Sequence, residues 1–137
     1  MRNFIDELIE ICKEKREERT REVCNDVDAM NYLHEIFSKS GITKSNKYKV
    51  INGYEKNAQY RISRGHAIAL GITFGFNLVE LNAFLAKAGY YLSACHQPDQ
   101  LIIDKVSKAK CTVDDINAAL EEQNFPLLTS RSQKKSG

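Results

Sequence analysis

The hydrophobic residues of this chain recur at the spacing of α-helices rather than β-strands. Near the N-terminus, Phe4, Leu8 and Cys12 fall on one face of a helix, and further on Leu33 and Phe37 do the same. No convincing run alternates apolar and polar residues with the period of two that a half-buried strand shows. The pattern therefore predicts an all-α fold of about six helices.

The first two helices are predicted from apolar faces and capping residues. A helix over residues 2–23 begins with an apolar face and continues into a stretch of mixed charges, which indicates a solvated or protruding second half. A second helix over residues 26–38 can be capped by Asn25 or Asp26. Gly41 suits the left-handed position that follows its C-terminal end.

The least regular pattern lies between Thr43 and Tyr60. Thr43 or Ser45 can cap a short helix, and the pair Asn52-Gly53 predicts a turn after it. A further short helix would then end near Tyr60. This part of the chain is predicted as short pieces rather than as one element.

The strongest helix signals follow this irregular part. Residues 64–75 are apolar nearly all round, which predicts a buried central helix. Two later segments, 77–90 and 112–125, echo each other: each has a capping residue, an acid three positions on, and Gly89 or Asn124 near its end. Both segments predict sharply bounded helices.

Length and composition define one domain. A chain of 137 residues is the usual size of a single domain with its own core. The prediction is a single all-α domain over residues 1–128, with the N-terminal helix at 2–23 and a helical core at 26–125. The Ser- and Lys-rich residues 129–137 predict a disordered tail.

The cysteines and the apolar runs indicate where the protein resides. The four cysteines form no Cys-x-x-Cys pair, and no hydrophobic leader precedes them, so reduced thiols in the cytoplasm are expected. No run approaches the roughly twenty apolar residues of a membrane span. The sequence therefore predicts a cytoplasmic protein that does not contact a membrane.

The residues that usually carry catalysis or bind metals are scattered. His34, His66 and His96 have no ligand spacing, so no metal site is predicted. Cys95 and His96 are adjacent, and neighbouring residues in an extended segment point in opposite directions, which argues against a nucleophile and base. No glycine-rich phosphate loop is present. The prediction is a protein that is not an enzyme and has no cofactor and no catalytic residues.

Positive charge is concentrated between Ser40 and Ala67. Six cations stand against a single acid, Glu55, in this window, although the whole chain carries a net charge of only +2. A local basic stripe interleaved with hydrogen-bonding side chains is typical of a surface that binds a polyanion. The candidate nucleic-acid-binding residues, all within 44–66, are Lys44, Ser45, Asn46, Lys47, Lys49, Lys56, Asn57, Gln59, Arg61, Ser63 and Arg64.

Residues 61–120 resemble the repressor-like, Cro-type helix-turn-helix proteins of bacteria and phages. One branch of that family has an Arg-x-Ser-Arg-like element, a Leu-x-Glu helix ending in Ala-Gly-Tyr, an Asp-x-x-Ile-Ile helix and an Ile-Asn-x-x-Leu helix. The matching residues here are Arg61, Ser63, Arg64, Ile68, Ala69, Leu70, Leu78, Glu80, Asn82, Leu85, Ala88, Gly89, Tyr90, Leu92, Asp99, Ile102, Ile103, Ile116, Asn117 and Leu120. The resemblance covers about half of the chain.

This resemblance implies a fold and a function. The fold would be a lambda-repressor-like helix-turn-helix core with an extra charged N-terminal helix. The function would be that of a transcriptional regulator, from a phage or another mobile element, that binds duplex DNA through the basic window. Because helix-turn-helix proteins commonly act as dimers, a homodimer is also a candidate state.

Two departures from the family pattern leave a second function open. Ile62 stands where the family has a proline, and the stretch from Gly41 to Arg64 is several residues shorter than the family's two DNA-reading helices require. The alternative is therefore a degenerate helix-turn-helix domain that acts as a protein–protein interaction adaptor or oligomerisation module without DNA binding.

Overall fold

The computed structural model describes residues 3–57, 59–108 and 110–129, and over that part the chain is all-α, as predicted. It forms seven helices and no strand in these three ranges. The helices are α1 (Phe4–Thr20), α2 (Asp26–Lys39), α3 (Lys44–Lys56), α4 (Arg64–Thr73), α5 (Leu78–Ala88), α6 (Gln97–Lys108) and α7 (Val113–Glu122). No helix among the described residues is both long and apolar enough to cross a bilayer.

The predicted break at Asn52-Gly53 is wrong, because α3 runs through it without interruption. Val50 and Tyr54 lie one helical turn apart on either side of the pair, and both are buried. Gly53 is needed for close packing instead of for a turn: a Cβ atom there would lie 2.6 Å from the Tyr60 ring. Among the described residues up to Tyr60, no separate short helix follows α3.

The predicted helix ends and caps agree closely with the structure. Of the two capping residues predicted for each helix, Asn25 rather than Asp26 caps α2, and Thr43 rather than Ser45 caps α3. Gly41 and Gly89 adopt the left-handed conformation at φ 80° and 89°. The first helix ends at Thr20 rather than at residue 23, because the next residue turns left-handed and closes the helix.

The core is organised around α4, which is short but buried over its whole middle. Residues 67–72 are all inaccessible to water, and α4 packs against α2, α5 and α7. A Cβ atom at Gly71 would lie 2.4 Å from Leu81 Cδ1, so glycine allows α5 to approach closely. The prediction of a central buried helix is confirmed.

The first half of the N-terminal helix is part of the core, whereas its charged second half is exposed from Glu17 to Thr20, as the sequence predicted for a solvated half. Phe4, Leu8 and Cys12 are buried against the rest of the same chain, and α1 packs mainly on α2. The Phe4 ring lies 5.3 Å from the Phe84 ring and 5.9 Å from the Tyr54 ring, centroid to centroid. The apolar face of α1 therefore needs no partner molecule to cover it.

The last two described residues, Leu128 and Thr129, are hydrogen-bonded to α7. The Asn117 side chain is buried, accepts the Leu128 amide at 2.8 Å and donates to Thr129 Oγ1 at 3.3 Å. Thr129 is consequently buried, although the sequence placed it in a disordered segment. The predicted disorder of residues 130–137 lies outside the described residues.

Candidate nucleic-acid interface

The basic window contains one long helix, α3, with a well-defined start. The Thr43 hydroxyl accepts the backbone N–H of Asn46 at 3.2 Å, which satisfies one of the unpaired amides at the helix start. At the other end, the Asn57 amide donates to Gly53 O at 3.0 Å and the chain becomes extended. The Thr43 cap thus specifies the start of α3 locally.

The inner face of α3 fixes the helix on the molecule. Val50 and Tyr54 are each 3 % exposed, and α3 packs against α1. The Tyr54 hydroxyl accepts the Ile62 amide at 3.1 Å, while Asn3 Nδ2 donates to Tyr54 O at 3.2 Å. With this face held by apolar packing and hydrogen bonds, the opposite face must point to solvent.

The outer face of α3 is a polar and basic stripe. Ser45, Lys49, Asn52 and Lys56 are spaced four, three and four residues apart, and all are exposed. At 1.5 Å per residue the stripe is about 16 Å long. The acid of the window, Glu55, lies roughly a quarter turn away from the stripe on the flank of the helix. The name α3 stripe is kept below for these four residues.

Two further lysines and an aromatic residue border the α3 stripe. Lys44 is exposed at the start of the helix, whereas Lys47 is half-buried with its Nζ 5.0 Å from the centroid of the Tyr48 ring. Tyr48 itself is 44 % exposed. Burial, and after it the charge of Lys47, lowers the pKa of His34, which places Lys47 beside α2. Lys47 is therefore a flanking residue rather than part of the outer face.

The two amide residues after α3 lie in a tight turn that faces solvent. Asn57 Oδ1 accepts the Gln59 amide at 3.0 Å, and Asn57 O accepts the Tyr60 amide at 2.9 Å. Both Asn57 and Gln59 are exposed. Side-chain amides of this kind can pair with two atoms of an adenine edge, and the side chain of Gln59 forms no hydrogen bond with the described residues.

The two arginines of the window are engaged in contacts with other parts of the same chain, although Arg61 remains exposed. Arg61 Nη2 donates to Gly89 O at 2.5 Å, and its guanidinium lies 4.9 Å from the centroid of the Tyr90 ring. Arg64 Nη2 donates to Asp99 Oδ2 at 2.5 Å and to Tyr91 O at 2.8 Å. These contacts join the start of α4 to the segment after α5 and to the first turn of α6, so neither arginine belongs to the outer face of α3.

The remaining candidates are capping or partly buried residues. Ser63 is exposed and caps α4 by accepting the His66 amide at 3.3 Å. Asn46 is half-buried in the first turn of α3. The structure therefore brings Lys44, Ser45, Lys49 and Lys56 together on α3, adds Asn57 and Gln59 at its end, and separates Arg61, Ser63 and Arg64 from them. Asn52, which belongs to the α3 stripe, was missed because it was interpreted as half of a turn.

The described ranges allow the possible metal ligands and the thiols to be located. Those ranges contain no group of three or more His, Cys, Asp or Glu side chains placed to hold a metal ion. All four cysteines are described, and each has a free thiol. Burial raises the pKa of Cys12 to about 12, so that thiol stays protonated at neutral pH.

No protein-family model, curated protein or solved structure matches this chain. The resemblance to Cro-type proteins, and with it the lambda-repressor-like arrangement of the helices, therefore remains a prediction from the sequence pattern.

Proposed function

We propose that this chain binds duplex DNA through the α3 stripe and acts as a transcriptional regulator. The observation that carries the proposal is the exposed outer face of α3, on which lysines, a hydroxyl and an amide lie in line without an acid. An α-helix with its side chains is about 10–12 Å wide, which suits the roughly 12 Å width of the major groove. The proposed role is binding, without catalysis and without a cofactor.

Different side chains would bind the phosphates and the bases of the duplex. Lys44, Lys49 and Lys56 would bind phosphates, because ammonium groups supply the sequence-independent part of the affinity. Asn52 and Gln59 would meet base edges, since side-chain amides can donate and accept at once. Arg61 and Arg64, which were candidate phosphate ligands from the sequence, would instead hold the scaffold behind α3.

The salt dependence of duplex binding tests this proposal directly. If the three exposed lysines of α3 each neutralise one phosphate, a plot of log K against log salt should slope at about −3. Charge reversal by Lys49→Glu or Lys56→Glu should weaken binding of a random duplex sharply. Lys39→Glu is the matched control, because Lys39 is exposed at the end of α2 and outside the window.

Fluorescence anisotropy with a labelled duplex provides the measurement. Absence of binding near 50 mM salt, where such contacts are strong, would exclude the proposed function. So would a Lys49→Glu, Lys56→Glu double variant that binds as well as the unaltered chain.

One observation favours the adaptor function as a second candidate. In the described residues between Gly41 and Arg64 there is a single helix, whereas the resemblance implies two helices for reading DNA. The adaptor function predicts no duplex binding at low salt, together with protein association that persists at high salt. Light scattering with and without duplex distinguishes the two, since a regulator that reads two half-sites should bind as a dimer.

A further inference from the structure

A second group of lysines surrounds a cavity that shares no residue with the α3 stripe. The cavity has a volume of about 460 Å³. It is lined from four directions, by α1, the end of α4, the start of α5 and the end of α6. Lys15 on α1, Lys108 at the end of α6 and Lys110 beyond it all line this space. These three residues are called the cavity lysines below.

The charges of the cavity lysines are poorly compensated. Lys15 Nζ lies 5.3 Å from the centroid of the Phe76 ring. Neither Lys15 nor Lys110 forms an ion pair within the described ranges. Lys108 pairs with Asp104 at 3.1 Å, but both side chains are more than half exposed, and water screens such a pair.

The acid in the lining, Glu80, offsets only part of this charge. Glu80 Oε1 accepts the Asn77 amide at 2.9 Å, and the Glu80 amide donates to Asn77 Oδ1 at 2.8 Å. The carboxylate is therefore engaged in capping α5. It keeps its negative charge there, so three ammonium groups against one carboxylate still leave the cavity lining with an excess of positive charge.

One side of the cavity is apolar. Ile72, Phe76 and Val106 contribute to its lining, and Phe76 belongs to a cluster of rings with Phe74 and Phe84. A space that combines cations with an apolar wall suits a ligand with an anionic group on a hydrophobic or aromatic body. Its volume lies in the range of about 300–1,000 Å³ that is typical of small-molecule sites.

We propose that this cavity binds a nucleoside monophosphate, with the phosphate on the cavity lysines and the base against the apolar wall. Lysines bind phosphate as point charges, and a phosphate dianion would neutralise most of the excess charge. The competing explanation is that the lysines only complement helix C-termini, since α4 and α6 both end at the cavity.

Calorimetric titration of the full chain with adenosine monophosphate, adenosine and inorganic phosphate tests the proposal. We expect adenosine monophosphate to bind in a one-to-one ratio, and adenosine to bind at least about tenfold more weakly because it lacks the charge-assisted contacts. Lys110→Gln and Lys15→Gln should each weaken adenosine monophosphate binding by about tenfold. Lys39→Gln, a matched surface control, should leave it unchanged.

The outcomes separate this proposal from the proposed DNA binding. If adenosine monophosphate does not bind, or binds Lys110→Gln equally well, the lysines serve the helix ends only and the proposal is overturned. It is also overturned if Lys110→Gln weakens duplex binding as strongly as Lys49→Gln does, because the cavity would then belong to the duplex interface. Loss of duplex binding in Lys49→Gln alone, with adenosine monophosphate binding intact, supports both proposals. Adenosine monophosphate binding by a chain that binds no duplex would exclude only the DNA function.

Discussion

The ion pair between Arg64 and Asp99 gives Arg64 a structural role that its position in the basic window did not indicate. Asp99 is 1 % exposed, and its Oδ2 accepts both Arg64 Nη2 at 2.5 Å and the Ser93 amide at 2.8 Å. Its Oδ1 is buried without a hydrogen-bond partner among the described residues. A carboxylate in this position depends on the arginine charge, because an uncompensated buried charge is costly.

Replacing Arg64 should therefore destabilise the fold. We expect Arg64→Met to lower the free energy of unfolding by about 2–3 kcal/mol, at or below the usual range for breaking a buried pair, since the arginine itself is partly exposed. Lys87→Met is the control, because the Lys87–Glu7 pair is exposed and should contribute at most about 1 kcal/mol. Urea denaturation measures both variants. Equal losses would contradict the structural role assigned to Arg64.

Among the elements, α3 is the one that the sequence described least well. The capping boxes at Asn77 and Thr112 could be predicted because both partners lie within three residues of each other. The continuity of α3 could not, since it depends on Tyr54 packing against α1 and on Tyr60 folding back over Gly53. An Asn-Gly pair favours a turn locally, and tertiary contacts override that preference here.

The fit of Gly53 to Tyr60 makes a prediction that opposes helix propensity. Alanine is about 1 kcal/mol better than glycine in a helix, yet we expect Gly53→Ala to lower the free energy of unfolding by about 1–2 kcal/mol. The added Cβ would clash with the Tyr60 ring, which is held edge-on to Tyr54 at 5.0 Å. Thermal unfolding followed by circular dichroism measures the change.

Two companion variants isolate the cause of that effect. Asn52→Ala, one position earlier on the exposed side of α3, should be neutral or slightly stabilising. When the Tyr60 ring has been removed by Tyr60→Ala, adding Gly53→Ala should lower the free energy of unfolding much less than Gly53→Ala does in the unaltered chain. If Gly53→Ala is more stable than the unaltered chain, the ring does not restrict this position.

At the scale of the whole molecule, the proposed sites depend on which side chains the fold brings together, and this cannot be read directly from the sequence. The all-α class and most helix ends follow from periodicity and capping, which are local. The grouping of the cavity lysines does not, because Lys15 and Lys110 are far apart in the sequence and line one cavity only in the folded chain. Conversely, the basic window looked like one surface in the sequence, but its arginines contact Gly89 and Asp99, away from the outer face of α3.

Two half-buried histidines make the stability of the whole domain sensitive to acid. Burial lowers the pKa of His34 on α2 and of His66 on α4 from the ordinary value of 6.5, and these two helices pack together. Below pH 6.5 the unfolded chain therefore binds more protons than the folded chain, so the free energy of unfolding should fall as the pH falls through that region. Urea titrations between about pH 7.5 and 5.5, a range in which histidine titrates, should show this decline. A His34→Gln, His66→Gln double variant should show a flatter profile, and an equally steep profile in that variant would assign the decline to other groups.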